Sequence, residues 1–246
     1  MVSNVTAYTV SSAATRAKST SHTYLVTNKP SAPGGQADIT AQEGISLSVT
    51  SRQLAQSAIA ADKRDASMTR SELADEAKRL RNQFSGSGYN RELAAQEVPD
   101  TENPALLARA KQATAFVQSR QAHRGHSTVE NPFHNLSYEQ LTLIMYDDSG
   151  RFTKNERHVA WLEQYDRREE WAEKVVAQAH REYQATGQND HFYQACIDHY
   201  NGLPRIERVQ FPVDYVPRLK YWIANNKPAE KSSYLEILLG QFDGNG

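Results

Sequence analysis

From about Thr50 onward, apolar residues recur at spacings of three, four and seven, with polar residues filling the positions between. That periodicity gives a series of helices one apolar face each. It is clearest from Ser137 to Thr186. There it predicts a short apolar helix, a polar turn at Asp147-Asp148-Ser149-Gly150, and one long helix over 153–186 of about nine turns. The apolar side of the long helix is Val159, Leu162, Tyr165, Ala172, Val175, Val176, Ala179 and Tyr183. Arg168-Glu169 interrupts that side, so the middle of the helix is expected to be less buried than its ends. Glu163–Arg167 and Glu170–Lys174 are spaced for helical ion pairs, and the pattern assigns them to solvated faces.

Capping chemistry marks where these helices begin and stop. Thr69 with Glu72, Ser137 with Gln140, and Thr153 with Glu156 match the capping box, in which the hydroxyl and the later side chain satisfy each other's backbone N–H groups. Neither Gly nor Pro occurs between Arg151 and Thr186, and Gly187 supplies the stop. Thr50 with Gln53 reads as a further cap opening Ser51 to Ala61, which Asp62-Lys63-Arg64-Asp65 then breaks. Ser71 to Phe84 follows, with Leu73, Ala77, Leu80 and Phe84 inward and a flexible stop at Ser85-Gly86-Ser87-Gly88. Asn103-Pro104 opens the next helix, because Pro is tolerated in a first turn. After Gly187, Asp190 to Tyr200 reads as a helix burying Phe192, Ala195, Cys196 and Tyr200. Gly202, Pro204, Pro212 and Pro217 punctuate a looser region, Leu219, Trp222 and Ile223 give a turn or two of helix, and Ser233 with Glu236 caps an amphipathic segment from Tyr234 to Phe242.

The predicted fold class is therefore all-α: a helical domain with a long central helix, preceded by a disordered Ser/Thr-rich tail. The tail is residues 1–44, which carry no acidic residue before Asp38 and contain the breaker cluster Lys29-Pro30-Ser31-Ala32-Pro33-Gly34-Gly35. Such a segment buries too little apolar surface to offset the entropy of ordering it. Thr6 to Val10 and His22 to Val26 alternate as strands do and would pair only if something covered them. A helical region over 45–120, a polar linker over 121–135 and a second helical region over 136–246 complete the expected organisation, the linker marking a boundary between two halves.

Charge and composition narrow the function classes. With 28 basic and 29 acidic residues there is no electrostatic reason to expect nucleic acid or an anionic membrane as partner. No apolar run reaches the roughly eighteen residues that span a bilayer. No basic-then-apolar leader is visible, so a cytoplasmic protein is expected, although an acid-poor, Ser/Thr-rich start also suits the uncleaved secretion signals of some bacterial effectors. A single cysteine, Cys196, excludes an internal disulfide.

The chemical lead lies in two turns. Phe152-Thr153-Lys154-Asn155-Glu156 follows Asp147-Asp148-Ser149-Gly150, and Met68-Thr69-Arg70-Ser71-Glu72 follows Asp62 and Asp65. Each resembles the second half of an EF-hand loop, in which six or more oxygens hold calcium and a bidentate Glu closes the set. The resemblance implies a metal site at Asp147, Asp148, Ser149 and Glu156, with Gly150 at the sharp turn. The sequence departs from the family at the first ligand position, which is Met145, and the earlier loop has Ala61, Lys63 and Ala66 where ligands and glycine belong. Capping already requires Thr153 and Glu156, and the helix stop requires Gly150, so a capped helix–turn–helix is the expected reading of this turn.

Other constellations are weaker. His191, Cys196 and His199 offer a thiol and imidazoles to zinc or to nucleophilic chemistry, but no further ligands or family signature accompany them. His123, His126 and His134 lie in the polar linker. No phosphate-cradling glycine loop and no Gly-x-Ser-x-Gly or His-Glu-x-x-His motif is present, so no catalytic residue and no cofactor is assigned. The chain also resembles bacterial proteins that pair a Ser/Thr-rich amino terminus with a helical body containing a Tyr-Asp-Asp-Ser-Gly turn, a likeness that implies no activity. The leading expectation is a non-enzymatic protein–protein interaction or structural module. It would bind a protein partner or a second copy through its long and last helices, with Trp171 as an exposed anchor. A calcium-responsive module is one alternative, and an enzyme of unrecognised family or a secreted bacterial effector is another.

Overall fold

The polypeptide was described as a computed structural model covering residues 37–229 and 234–240. The expectations for residues 1–36, and for Ser233 and Phe242 at the last helix, lie outside the described residues. Ten helices occur among the described residues, and no strand. They are α1 (Ala37–Ser67), α2 (Arg70–Asn82), α3 (Arg91–Gln96), α4 (Pro104–Ala122), α5 (Tyr138–Met145), α6 (Lys154–Thr186), α7 (Asp190–Gly202), α8 (Arg205–Arg208), α9 (Tyr215–Ala224) and α10 (Tyr234–Leu239). The fold is all-α. No helix among the described residues is long and apolar enough to cross a membrane.

All three capping boxes form as the sequence predicts, at Thr69 with Glu72, Ser137 with Gln140 and Thr153 with Glu156. Asn103 caps α4 ahead of Pro104. Gly187 ends α6 at φ 73°, a left-handed backbone that glycine adopts without a Cβ penalty, and its N–H donates to the Tyr183 carbonyl. Helices α3 and α8 are absent from the sequence reading, and α1 and α9 differ from it in extent. The helix expected to open at Thr50 begins at Ala37 and runs unbroken through Asp62-Lys63-Arg64-Asp65 to Ser67. Asp62 and Lys63 simply face solvent, and a charged cluster on an exposed face does not stop a helix. Thr50 and Gln53 are therefore no cap; both accept hydrogen bonds from Arg109, at 2.8 Å each. Pro217, read as part of a loose region, sits in the first turn of α9, where its missing N–H has no intrahelical partner to lose.

Helix α6 is the element on which the others converge: α3, α4, α5, α7 and α10 all pack against it. Two apolar cores lie along it. The first gathers Leu54, Leu73, Leu80, Phe116, Leu141, Ile144, Val159 and Ile206 from α1, α2, α4, α5, α8 and the first turns of α6, with Phe84 and Phe133 from the segments between helices. The second gathers Val175, Ala179, Phe192, Tyr193, Cys196, Tyr215, Leu219 and Tyr234 from the last turns of α6 with α7, α9 and α10. No residue of α6 between Gln164 and Val175 is buried, as the interruption at Arg168-Glu169 predicts. The division between cores thus falls within α6, and not at 121–135. Residues on both sides of that linker share the first core, and the linker itself contributes Phe133.

The first turns of α6 depart from a simple amphipathic helix. Asn155, Glu156, Arg157, His158, Glu163 and Gln164 are all buried. Glu163, assigned above to a solvated face, receives hydrogen bonds from Asn131 at 2.8 Å and Arg167 at 2.9 Å. Glu156 pairs with Arg109 at 2.7 Å, with side-chain exposures of 1% and 7%. The Arg109 guanidinium also lies over the rings of Phe133 and Phe152. Among the described residues Arg157 has no carboxylate partner within ion-pair distance. Its guanidinium donates to the carbonyl of Leu80 at 3.2 Å, the carbonyl of Met145 at 2.9 Å and Gln83 Oε1 at 2.8 Å, and it covers the Phe84 ring. Burial pushes its pKa down to about 10, which leaves it charged at neutral pH.

Candidate functional site

Where α1, α2, α5 and α8 meet they leave a cleft of about 470 Å³. Six carboxylates line it: Asp62 and Asp65 from α1, Glu76 from α2, Glu139 from α5, and Asp147 and Asp148 from the turn before α6. Thr142, Leu143, Tyr146 and Ile206 supply its less polar surface. Both acidic segments that drew attention in the sequence therefore line one cleft, although the sequence presents them as two separate loops.

Each acid reaches the cleft for a local reason. Gly150, at φ 85°, lets the chain reverse after α5. Asp147 then folds back on its own turn, accepting from the Ser149 N–H at 2.8 Å and from the Ser149 hydroxyl. Its other oxygen takes the Ser57 hydroxyl of α1 and Arg151 Nη1, the latter at 3.0 Å. Burial on its own pushes the Asp147 carboxyl up, but the bonds from Ser149, Ser57 and Arg151 outweigh it and hold the group below the usual 3.8. Asp148 stands at the rim, where Arg79 joins it at 3.0 Å and Glu76 at 2.6 Å. The two arginines of the lining are both turned to backbone. Arg64 donates to the Tyr146 carbonyl at 3.1 Å while pairing with Asp65, and Arg205 donates to the Met68 carbonyl at 2.9 Å. Asp62 and Glu139 are exposed and make no ion pair with any described residue.

The donor set does not fit a calcium loop. Asp147, Asp148 and Ser149 share the cleft, but Glu156, the residue an EF-hand would use to close the shell, is in the first core. One Glu156 oxygen faces Arg109 and the other takes the Thr153 N–H at 2.8 Å. Both Asp147 oxygens face donors as well, and a hard cation needs those lone pairs free. Among the described residues no group of three or more His, Cys, Asp or Glu side chains is placed to hold a metal ion.

The Cys196–His199 pair is packing. Cys196 is 1% exposed, and burial pushes its thiol up to about 12. His199 stacks on Trp171 at 4.1 Å and meets the Tyr138 ring edge-on, and burial pushes it down to about 4. Neither the thiolate nor the imidazolium is available at neutral pH. Trp171, expected as an exposed anchor, is half-buried under that stack. His191 is turned away to Glu182 at 2.9 Å, and His134 lies 3.4 Å from Glu163.

Comparison of the chain with family models, with curated proteins and with solved structures finds no match. Ser57, Glu76, Glu139 and Arg205 gave no signal in the sequence as cleft residues, because they come from four helices and only the packing of α8 against α2 brings the last of them in.

Proposed function

We propose that this chain is a non-enzymatic helical module that binds a protein partner by taking its basic side chains into the acid-lined cleft. The observation that carries the reading is the lining: six carboxylates line the cavity, and while Arg64, Arg79 and Arg151 hold four of them, Asp62 and Glu139 pair with none of these arginines. An arginine or lysine entering there would find unpaired carboxylates at Asp62 and Glu139, the arrangement in which charge-assisted hydrogen bonds are strongest and orientation is set by the guanidinium fork. The volume lies in the range that accepts a long side chain or two. Catalysis is the weaker reading, since the one thiol and its neighbouring imidazole serve as packing.

The test is a titration of the chain with a tetra-arginine peptide, followed by amide chemical shifts. Saturable shifts confined to Ser57–Asp65, Glu139–Ser149 and Pro204–Ile206 are expected, with binding weakened about tenfold, roughly 1.4 kcal/mol, in a variant carrying Asp62→Asn and Glu139→Gln. Shifts scattered over all acidic faces, unchanged by that variant, would sink the proposal.

A further inference from the structure

Helix α8 borders two hollows. Pro204, Arg205 and Ile206 line the acidic cleft, while the next residue, Glu207, lines a cavity of about 40 Å³ together with Arg81, Tyr146, Trp161, Gln164 and Arg168. The Glu207 side chain enters a nearly closed space: the residue is 9% exposed, and its Oε1 is buried with no hydrogen-bond partner. Every element packed around it contributes a charged or titratable group. From α2 comes Arg81, whose Nη1 is held by Gln210 Oε1 at 2.7 Å. From the end of α5 comes Tyr146, whose hydroxyl bonds the carboxyl and accepts from Gln210 Nε2 at 3.0 Å; Tyr138, earlier in α5, lies within reach of its charge. From α6 come Tyr165 and Arg168, the latter set over the Tyr165 ring at 5.8 Å. Neither arginine forms an ion pair with Glu207.

From this geometry we infer that Glu207 is a proton-controlled latch: α8 docks with the carboxyl neutral, and loss of its proton to solvent loosens α8 from α2, α5 and α6. A buried carboxylate without an ion-pair partner is costly, whereas the neutral acid needs little beyond the tyrosine bond. The cavity has room for about one water, which would solvate Oε1 but not neutralise it. Burial raises the Glu207 pKa above the usual 4.5, and the Tyr146 bond and the Arg168 and Arg81 charges oppose that rise without cancelling it. Because the folded value lies above the unfolded one, the stabilisation is fully present below 4.5 and is lost as pH climbs through the folded value. The latch is independent of what the cleft binds, although it moves the helix that carries part of the cleft wall.

The experiment compares urea midpoints of the full chain and of Glu207→Gln, a neutral isostere, from about pH 5 to about pH 8. Across the window between the unfolded and folded values, the unfolding constant of the native sequence is expected to rise relative to that of the variant by about tenfold per pH unit. Hydrogen exchange over Leu203–Phe211, corrected for intrinsic rates, should accelerate over the same window in the native chain only. Arg168→Gln removes a charge that favours the ionised form, so it should move the transition to higher pH. Parallel midpoint curves, or α8 protection that does not change with pH, would overturn the inference. Should Glu207→Gln not fold, carbon NMR titration of the Glu207 carboxyl in the native chain decides: an ordinary glutamate value refutes the latch and a raised one supports it.

Discussion

Replacing Glu156 by glutamine isolates what the first turn of α6 gains from a buried charge. The pair it forms with Arg109 is almost fully withdrawn from water, with side-chain exposures of 1% and 7%. Its two oxygens each face a donor, Arg109 Nε at 2.7 Å and the Thr153 N–H at 2.8 Å. Glutamine keeps the shape but has one oxygen and one NH₂. Whichever way the amide turns, a donor meets a donor, at Arg109 or at the cap. The guanidinium also loses the counter-charge it has among the described residues. Breaking one side of a buried pair costs about 3–5 kcal/mol, against a total stability of roughly 5–15 kcal/mol for a domain. Urea unfolding followed by far-ultraviolet circular dichroism measures the difference, with calcium and with chelator. The expected result is a loss in that range that calcium does not alter. A double variant with Arg109→Met and Glu156→Leu should be less destabilised than the single losses sum to, because the two residues act as one unit. A loss for Glu156→Gln of less than about 1 kcal/mol, the magnitude of a solvent-exposed pair, would refute the argument. A calcium-induced gain in stability abolished by the substitution would instead make this turn a metal loop.

Three further outcomes follow from the packing. Asn189 is fully buried, donates to the Ala179 carbonyl at 2.9 Å and accepts from the Ala229 N–H at 3.0 Å, so Asn189→Ala should cost about 2–4 kcal/mol by orphaning both; a thermal melt matching the native chain would show that water replaces these bonds. Glu163→Ala should cost about 1–2 kcal/mol, since it strips partners from Asn131 and Arg167, where an exposed helical ion pair costs only tenths; denaturant midpoints that rank it with Glu170→Ala would return Glu163 to the surface. Cys196 should resist a disulfide reagent at neutral pH until urea unfolds the chain, because its thiol is buried and pushed up to about 12; prompt native-state modification is the contrary result.

Much of the helical plan was legible because it is local. Capping boxes involve residues three apart, Gly187 acts where it stands, and the apolar spacing of α2 and α5 survives into the core. The failures are where distance in sequence intervenes. Glu163 looks solvated until Asn131 arrives from the linker, and nothing local points Glu156 to Arg109 or Arg157 to Leu80, which come from other helices. The charged cluster Asp62 to Asp65 looks like a break, but it only marks the wet face of a helix that continues. Helix α3 buries Ala94 alone, too little to make a period. The cleft was half legible: Asp147, Asp148, Ser149, Asp62 and Asp65 were noticed as turn chemistry, whereas their common cavity depends on α8 closing it from the far end of the chain.

The Arg157 joint bears on how this protein meets acid. Contacts made through carboxylates are released at low pH, as the carboxylates gain protons. Here the carboxy-terminal ends of α2 and α5 are tied to α6 by a guanidinium bonded to two carbonyls and an amide, none of which gains a proton in that range. Acid strong enough to protonate Asp147, held below the usual carboxylate range, would dissolve its contacts with Ser57, Ser149 and Arg151 while leaving this one chemically unchanged. The turn at Asp147 should therefore loosen in acid before the meeting point of α2, α5 and α6 does.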